Sequence, residues 1–190
     1  MANAITNISL DNLHNAIVAE IKRAFPDLKT VEFYREETDR KTLPLPACLL
    51  ELSEMDGAPD IDPGTDQLAV TARFEARLII GFRAHRAKIE IRSLAAGLAA
   101  HLRTMLRWPD PLNPGKAVPT GPCEVAGCYP DDFDPALDKY EVWRVEWSQV
   151  LHLGQTAWTN DGTPASDLQP VFAWKPDIGE GNADNYEGFE

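Results

Sequence analysis

The chain has 190 residues, of which 44% are hydrophobic, and a net charge of −12. This length suits one domain with a real core plus an extension. The acidic balance argues against a nucleic-acid binder, because neutralising phosphates requires a surplus of Lys and Arg. No apolar run approaches the ~20 residues that span a bilayer, and residues 1–10 lack the basic and apolar regions of a leader. We therefore expect a protein made and kept in a cytoplasm, with no membrane partner.

The chain has three cysteines, an odd number, and they show no C-x-x-C spacing: Cys48, Cys123 and Cys128. Neither a disulfide framework nor a zinc module is indicated by this pattern. We expect buried thiols.

The first predicted element is a helix that begins after Ser9, whose side chain can cap it. Its apolar residues recur at three- and four-residue steps, as on a helix with one buried face: Leu10, Leu13, Ile17, Ile21, Ala24 and Phe25. Pro26 then ends the helix.

Two shorter strands are predicted next, over Thr30–Arg35 and Ala47–Ser53. The prolines at positions 44 and 46 cannot donate ladder hydrogen bonds, so the second strand should begin at a sheet edge or emerge from an extended segment. Residues 55–67 are rich in Gly, Pro and Asp, which predicts a long exposed loop.

In the stretch Leu68–Phe82 every second residue from Leu68 is apolar, and most residues between them are polar, which predicts a strand with one dry face and one charged face. At ~3.3 Å per residue the strand would run on the order of 50 Å, well beyond the usual length. We expect it to bend or to project beyond the sheet, where it would meet a partner.

Beyond this strand, residues 84–108 show helical periodicity and Tyr140–Leu153 alternates again, with a short strand predicted over Pro122–Tyr129 between them. The second long strand is the natural neighbour of the first. The predicted fold class is α+β: a mostly antiparallel sheet with two long strands, packed against two helices, within a domain of residues 1–154.

Residues 155–190 form the second predicted region, an extended acidic C-terminal arm. Its many Pro, Gly and acidic residues cannot bury enough apolar area to fold alone. The arm nevertheless keeps large aromatic residues: Trp158, Phe172, Trp174, Tyr186 and Phe189. Such anchors favour docking on a neighbouring subunit or partner, and the alternative is an arm folded back over its own domain.

The charges are divided along the chain. From Leu68 to Arg107 there are eight basic and two acidic residues, a net charge of +6, and from Asp131 to Glu190 three basic and thirteen acidic ones, a net charge of −10. Segments of opposite net charge favour head-to-tail self-association of the chain. The alternative is that the basic helix face and the acidic tail are both simply solvated. Four basic residues are predicted at such an interface: Arg73, Arg77, Arg83 and Arg86.

Patterns that would indicate catalysis or metal binding are weak. The histidines, at positions 14, 85, 101 and 152, form no ligand cluster, and the alternating carboxylates of residues 60–66 lack the glutamate that closes a calcium loop. Asp27 with Asp39 and Lys41 mimics a nuclease signature, but the residues fall in turns instead of on adjacent strands. We predict no catalytic residue, no cofactor and no metal site, so the protein is not expected to be an enzyme.

Several segments are distinctive when taken together: Leu68–Val70, Phe74–Arg77, Tyr129–Phe133, Tyr140–Trp147, Leu151–Gly154, and Trp174–Gly179 with Tyr186. They resemble the tail terminator proteins of long-tailed bacteriophages, particularly the contractile Mu-like group and related prophages. The resemblance covers most of the chain from Leu43 onward and involves structural motifs.

This resemblance implies a small α+β subunit of the virion, assembled in the host cytoplasm into a ring, expected to be a hexamer, at the head-proximal end of the tail. Such a ring caps the tail tube, stops its polymerisation and offers a surface for joining the head. The implied partners are further copies of the chain, the tail tube protein, the neck or head-completion protein and, as an open alternative, the sheath protein. DNA would only pass through the lumen.

Two other functions remain open on the sequence. A neck or head-completion connector could share the architecture, and a small metal-dependent nuclease or hydrolase would belong to a different class.

Overall fold

The computed structural model describes residues 8–35, 43–61, 64–81, 86–131 and 140–155, and the backbone of 171–172 and 187–188. The chain divides into two units, Met1–Ala157 and Trp158–Glu190. The first unit has these elements in chain order: α1 Leu10–Ala24, β1 Thr30–Phe33, β2 Ala47–Gly57, a 3₁₀ turn Pro59–Ile61, β3 Leu68–Gly81, α2 Ala87–Arg103, β4 Glu124–Pro130 and β5 Tyr140–Leu153. In the second unit, β6 Val171–Phe172 and β7 Glu187–Gly188 pair antiparallel inside the predicted arm.

The five strands of the first unit form one sheet in the order β1-β2-β3-β5-β4. Only β1 and β2 run parallel; the other three pairs are antiparallel. The two long strands are neighbours along their whole length, from Leu68 opposite Leu153 to Gly81 opposite Tyr140. The predicted α+β class with a mostly antiparallel sheet, two long strands and two helices is confirmed.

The long strand β3 does not project beyond the sheet, so of the two predicted alternatives, bending or projecting, the second is wrong. It lies at the centre, with β5 on one side and β2 on the other, where Ala47 pairs with Ile79 and Gly57 with Val70. The strand is long because both neighbours are long, and pairing on both edges satisfies its backbone groups.

Strand β2 is longer than the sequence predicted and ends at Gly57 instead of Ser53. It passes through a bulge between Leu52 and Glu54, which absorbs one residue and lets pairing with β3 continue through Asp56. The predicted loop is correspondingly shorter, because tertiary pairing overrides the weak strand preference of Asp and Gly. At its start β2 is an interior strand that emerges from an extended segment, where the Lys29 N–H donates to the Pro46 carbonyl at 2.9 Å.

The first helix follows the prediction closely. The Asn12 N–H donates to the Ser9 hydroxyl at 3.3 Å, and this satisfies one of the free donors of the first turn. The strand after it ends earlier than predicted, at Phe33, since Tyr34 adopts a left-handed backbone conformation with φ of 51°.

The second helix is shorter than its periodicity suggested, spanning Ala87–Arg103 instead of residues 84–108. The chain leaves the helix at Thr104, whose N–H and hydroxyl both donate to the His101 carbonyl. This exit lets Trp108 enter the core, where its indole Nε1–H donates to Gln149 Oε1 at 2.7 Å. Gln149, also fully buried, donates in turn to the Gly121 carbonyl at 2.9 Å. These hydrogen bonds hold residues 104–123 against the sheet.

Both helices lie on the same side of the sheet, which we call the covered face. The β3 side chains on this face are completely buried and are Ala72, Phe74, Ala76 and Leu78. Phe74 stacks on Trp147 of β5 with ring centroids 5.2 Å apart. They share one core with Leu13 and Ile17 of α1 and Ile91 and Leu98 of α2.

The other side of the sheet, which we call the open face, bears the charged residues of the same strands. The predicted dry and charged faces are therefore confirmed, with two local exceptions. At one end Ala47, Ile79 and Val142 form a small buried cluster beneath Leu43 and Leu45, and at the other end Leu68 is 60% exposed.

The cysteines are free, and Cys48 and Cys123 are buried as predicted, while Cys128 is half-buried. Burial raises the pKa of both the Cys48 and the Cys123 thiol to about 12.

Candidate functional site

The open face carries a connected set of ion pairs at the middle of β2, β3 and β5. Its centre is Arg77, whose guanidinium contacts three carboxylates: Glu51 at 2.8 Å, Glu75 at 3.0 Å and Asp131 at 3.0 Å. Partial burial would lower the pKa of Arg77, but hydrogen bonds to Glu51 and Asp131 outweigh it, and the pKa is raised. Arg77 is therefore a fixed cation held by carboxylates of its own chain.

Arg144 on β5 extends this set toward β4. Its Nη1 lies 3.3 Å from Glu75 Oε2 and its Nε 3.1 Å from Glu146 Oε1. The guanidinium also sits over the ring of Tyr129, 5.2 Å from the centroid. Burial, helped by Glu146, raises the pKa of the Tyr129 phenol to about 12, so this ring stays neutral.

Toward the β2–β3 turn, Arg73 is shared by Glu54 at 3.4 Å and Asp56 at 3.0 Å. These three side chains are each more than half exposed, so the pairs are screened by solvent and contribute little to stability. A shallow cavity of about 420 Å³ opens beside Arg73, between Glu54 and Glu146.

Acidic residues outnumber basic ones on the open face. Within the described residues, the strand register and ion pairs place eight carboxylates there, those of Glu32, Glu51, Glu54, Asp56, Glu75, Glu124, Asp131 and Glu146. Four guanidinium groups accompany them, those of Arg35, Arg73, Arg77 and Arg144. With a net charge of −4, this face is suited to bind cationic side chains.

The exposed side of α2 has the opposite charge. Its basic α2 surface consists of Arg86, Lys88, Arg92, Arg103 and Arg107, all exposed, with Glu90 as the acidic exception. Within the described ranges none of these five cations forms an ion pair. Arg92 is held over the Trp143 ring at 5.0 Å, so one cation of this surface is preordered.

The structure thus separates residues that the sequence grouped in one basic segment. Arg73 and Arg77 lie on the open face among carboxylates, whereas Arg86 lies on the far side of the sheet with α2. The parity of β3 already placed Glu75 beside both arginines, but Glu51, Asp131 and Glu146 reach them only through the register of neighbouring strands. The role of these arginines at a subunit interface stays a prediction.

A third exposed feature lies where β2 and β3 are joined. Three large apolar side chains are solvent-exposed at this hairpin end: Met55 at 46%, Ile61 at 49% and Leu68 at 60%. All three belong to the same end of this hairpin, where Met55 lies opposite Ala72 and Gly57 opposite Val70. Grouped apolar exposure of this kind is typical of a surface that meets another protein.

Most of the arm residues predicted at an interface lie outside the described residues: Trp158, Trp174 and Tyr186, as does Arg83 before α2. For Phe172 the structure gives the backbone, in β6.

The weak chemical patterns are dispersed in the structure. Asp27 lies exposed in the turn after α1, and Lys41 falls outside the described residues. His14 stacks on Phe33 at 4.0 Å, and His101 Nε2 lies 3.1 Å from Glu20 Oε1 between the two helices. In the parts of the chain that are described, no three His, Cys, Asp or Glu residues are grouped as a metal site would need, and no helix has the length and apolarity to cross a membrane.

Compared with known proteins, the chain matches no protein-family model and no curated protein sequence.

Proposed function

We propose that this protein is a structural subunit of a bacteriophage tail, which assembles into a ring that caps the tail tube, ends its polymerisation and presents a surface for joining the head. The sequence segments that resemble tail terminators support this proposal. Within the described residues they lie mainly on β3, β4 and β5, which share the open face with β2.

The exposed apolar end of the β2–β3 hairpin is the observation that carries the proposal. A subunit that stops a growing tube must bind the last tube ring through a surface that a free protein would leave exposed. Met55, Ile61 and Leu68 are apolar side chains exposed in this way at the hairpin end. In this proposal the hairpin end contacts the tube protein.

Ring formation requires two further surfaces, one for each neighbour. A heterologous contact joins unlike surfaces of consecutive copies and closes when the rotation between copies closes, as in a hexamer. The open face and the basic α2 surface are unlike in charge and belong to the same unit.

The test uses the mass in solution and negative-stain images of the full chain, alone and with tail tube protein of the same phage. We expect closed rings that bind tube ends and limit tube length. Met55→Glu with Leu68→Glu should abolish capping and leave the ring intact. The matched control is Leu112→Glu with Ala117→Glu, two exposed apolar residues far from the hairpin in sequence and outside the basic α2 surface, which should cap normally.

A neck or head-completion connector is the runner-up, and the same experiment separates it. A connector would form rings but bind the neck side of a head instead of tube ends. A chain that remains monomeric alone and with tube protein would contradict both.

The arm supplies another test. Deleting the residues after Gln155 should leave a folded first unit, because every buried core residue in the described part of the chain precedes that point. The melting temperature should be nearly unchanged while the ring loosens or loses its hold on the tail. Loss of the folded unit itself would show that the arm belongs to the core.

A further inference from the structure

Opposite charges lie on opposite sides of one sheet. The open face has a net charge of −4, whereas the basic α2 surface has five basic residues and one acidic residue, a net charge of +4. The α2 residues buried against the sheet are apolar, such as Ile91, Ala95 and Leu98, while its basic residues are exposed, with Arg92 at the margin over the Trp143 ring. The two surfaces of one copy therefore cannot meet each other.

The carboxylates of the open face are only partly neutralised within the chain. Arg77 is shared by three carboxylates, and Arg73 and Arg144 by two each. Glu124 is exposed and forms no ion pair in the described part of the chain. Additional cations would be favourable here, since each of these three guanidinium groups already serves more than one acid.

Two basic residues at the start of α2 are placed against local helix preferences. Arg86 caps the helix without a side-chain hydrogen bond and with φ of 74°, and Lys88 lies in the first turn, where the positive end of the helix dipole repels cations. Residues that go against local helix preferences without a stabilising contact in their own chain often contact another molecule. Carboxylates from outside would be attracted both by these side chains and by the helix end.

We propose that the basic α2 surface of one copy docks on the open face of the next copy, and that this contact is the repeating interface of the ring. The inference rests on the proposed function, since it names the surfaces through which the ring subunits join. The cavity beside Arg73 gives space for the long basic side chains of α2 between Glu54 and Glu146. Because the joined surfaces are unlike and face opposite ways, the contact repeats from copy to copy.

Two charge-reversed variants of the full chain test the inference. Arg86→Glu, Lys88→Glu and Arg103→Glu together take the α2 surface from +4 to −2, and Glu54→Lys, Asp56→Lys and Glu124→Lys together take the open face from −4 to +2, all at exposed positions. Each variant alone should bind itself at least about tenfold more weakly than the wild type at low salt, as measured by sedimentation, because like charges then face each other. An equimolar mixture should recover assemblies of wild-type size, since each surface again faces its opposite.

The matched control is Lys22→Glu with Lys29→Glu and Lys116→Glu, which makes the same charge change as the α2 variant at exposed positions that belong to neither surface. It should assemble as the wild type does. Circular dichroism confirms that each variant is folded, as expected for exposed positions.

The outcomes separate this inference from the proposed function. If the wild type forms rings and both variants form them equally well, or if the mixture fails to recover, the docking inference is overturned while the ring remains. Equal weakening in the control would also overturn it, because the effect would then come from net charge alone. Should the wild type never assemble, alone or with tube protein, the proposed function fails as well.

Discussion

The covered and open faces of the sheet are built from alternate residues of the same strands, yet different interactions stabilise them. On the covered face, Phe74 and Trp147 stack in a fully buried core. The residues adjacent to this pair, Glu75 and Glu146, lie opposite each other on the open face and are bridged by Arg144. The first arrangement removes apolar area from water, and the second leaves charge near water, where it is screened.

This difference implies a division of roles between the two faces. The covered face should determine whether the chain folds, because burial of large side chains is the main favourable contribution. The open face should influence association and its salt dependence more than folding. Substitutions on each face test this division of roles.

The largest effect is expected for Phe74→Ala on the covered face. Loss of the buried ring and its stacking on Trp147 should lower the free energy of unfolding by about 3 to 5 kcal/mol. Urea titration monitored by tryptophan fluorescence measures the loss. The control is Thr71→Ala on the open face of the same strand, expected within about 0.5 kcal/mol of the wild type. Similar losses at the two positions would contradict the division of roles.

Gln149→Leu should have the next largest effect. Gln149 lies on the covered side, where it accepts from Trp108 and donates to the Gly121 carbonyl. Leucine fills the space but leaves these buried groups unpaired, so we expect a loss of about 2 to 3 kcal/mol. Thermal unfolding checks this, and hydrogen exchange should be fastest in residues 104–123. A neutral result would mean that the loop is held by packing alone.

On the open face, Arg77→Met should cost about 1 kcal/mol, although the arginine contacts three carboxylates. The variant leaves Glu51, Glu75 and Asp131 to repel one another, so the deficit should shrink as salt screens them. Unfolding titrations at low and high salt measure both effects. Arg73→Met, at a more exposed position, should change stability less. A deficit as large as that of Phe74→Ala would show that the open face also determines folding.

The smallest effect is one of pH. Burial lowers the pKa of His14 from the ordinary value of 6.5, partly opposed by Asp11, and its Nε2 is buried without a hydrogen-bond partner. Below pH 6.5 the unfolded chain takes up a proton that the folded chain resists, so stability falls as pH drops toward the folded-state pKa. His14→Phe, which keeps a ring against Phe33, should flatten this part of the stability profile. An unchanged slope would assign the pH dependence to other groups.

Much of the fold followed from the sequence because the signals were local. The Ser9 cap, the spacing of α1 and the alternation of β3 and β5 each depend on residues a few positions apart, and the structure reproduces them. Alternation also predicted one dry and one charged face before any strand neighbour was known.

The partners of the charged residues depended on register, which local patterns do not contain. Nothing near Arg77 in sequence indicates Glu51 or Asp131, which are 26 and 54 residues away. Pairing with β3 likewise extended β2 into a predicted loop, and the burial of Trp108 ended α2 early. Local sequence patterns were thus sufficient to predict which residues share a face. Which faces meet and which charges are neutralised depend on contacts between segments far apart in the chain, so they follow from the tertiary structure alone.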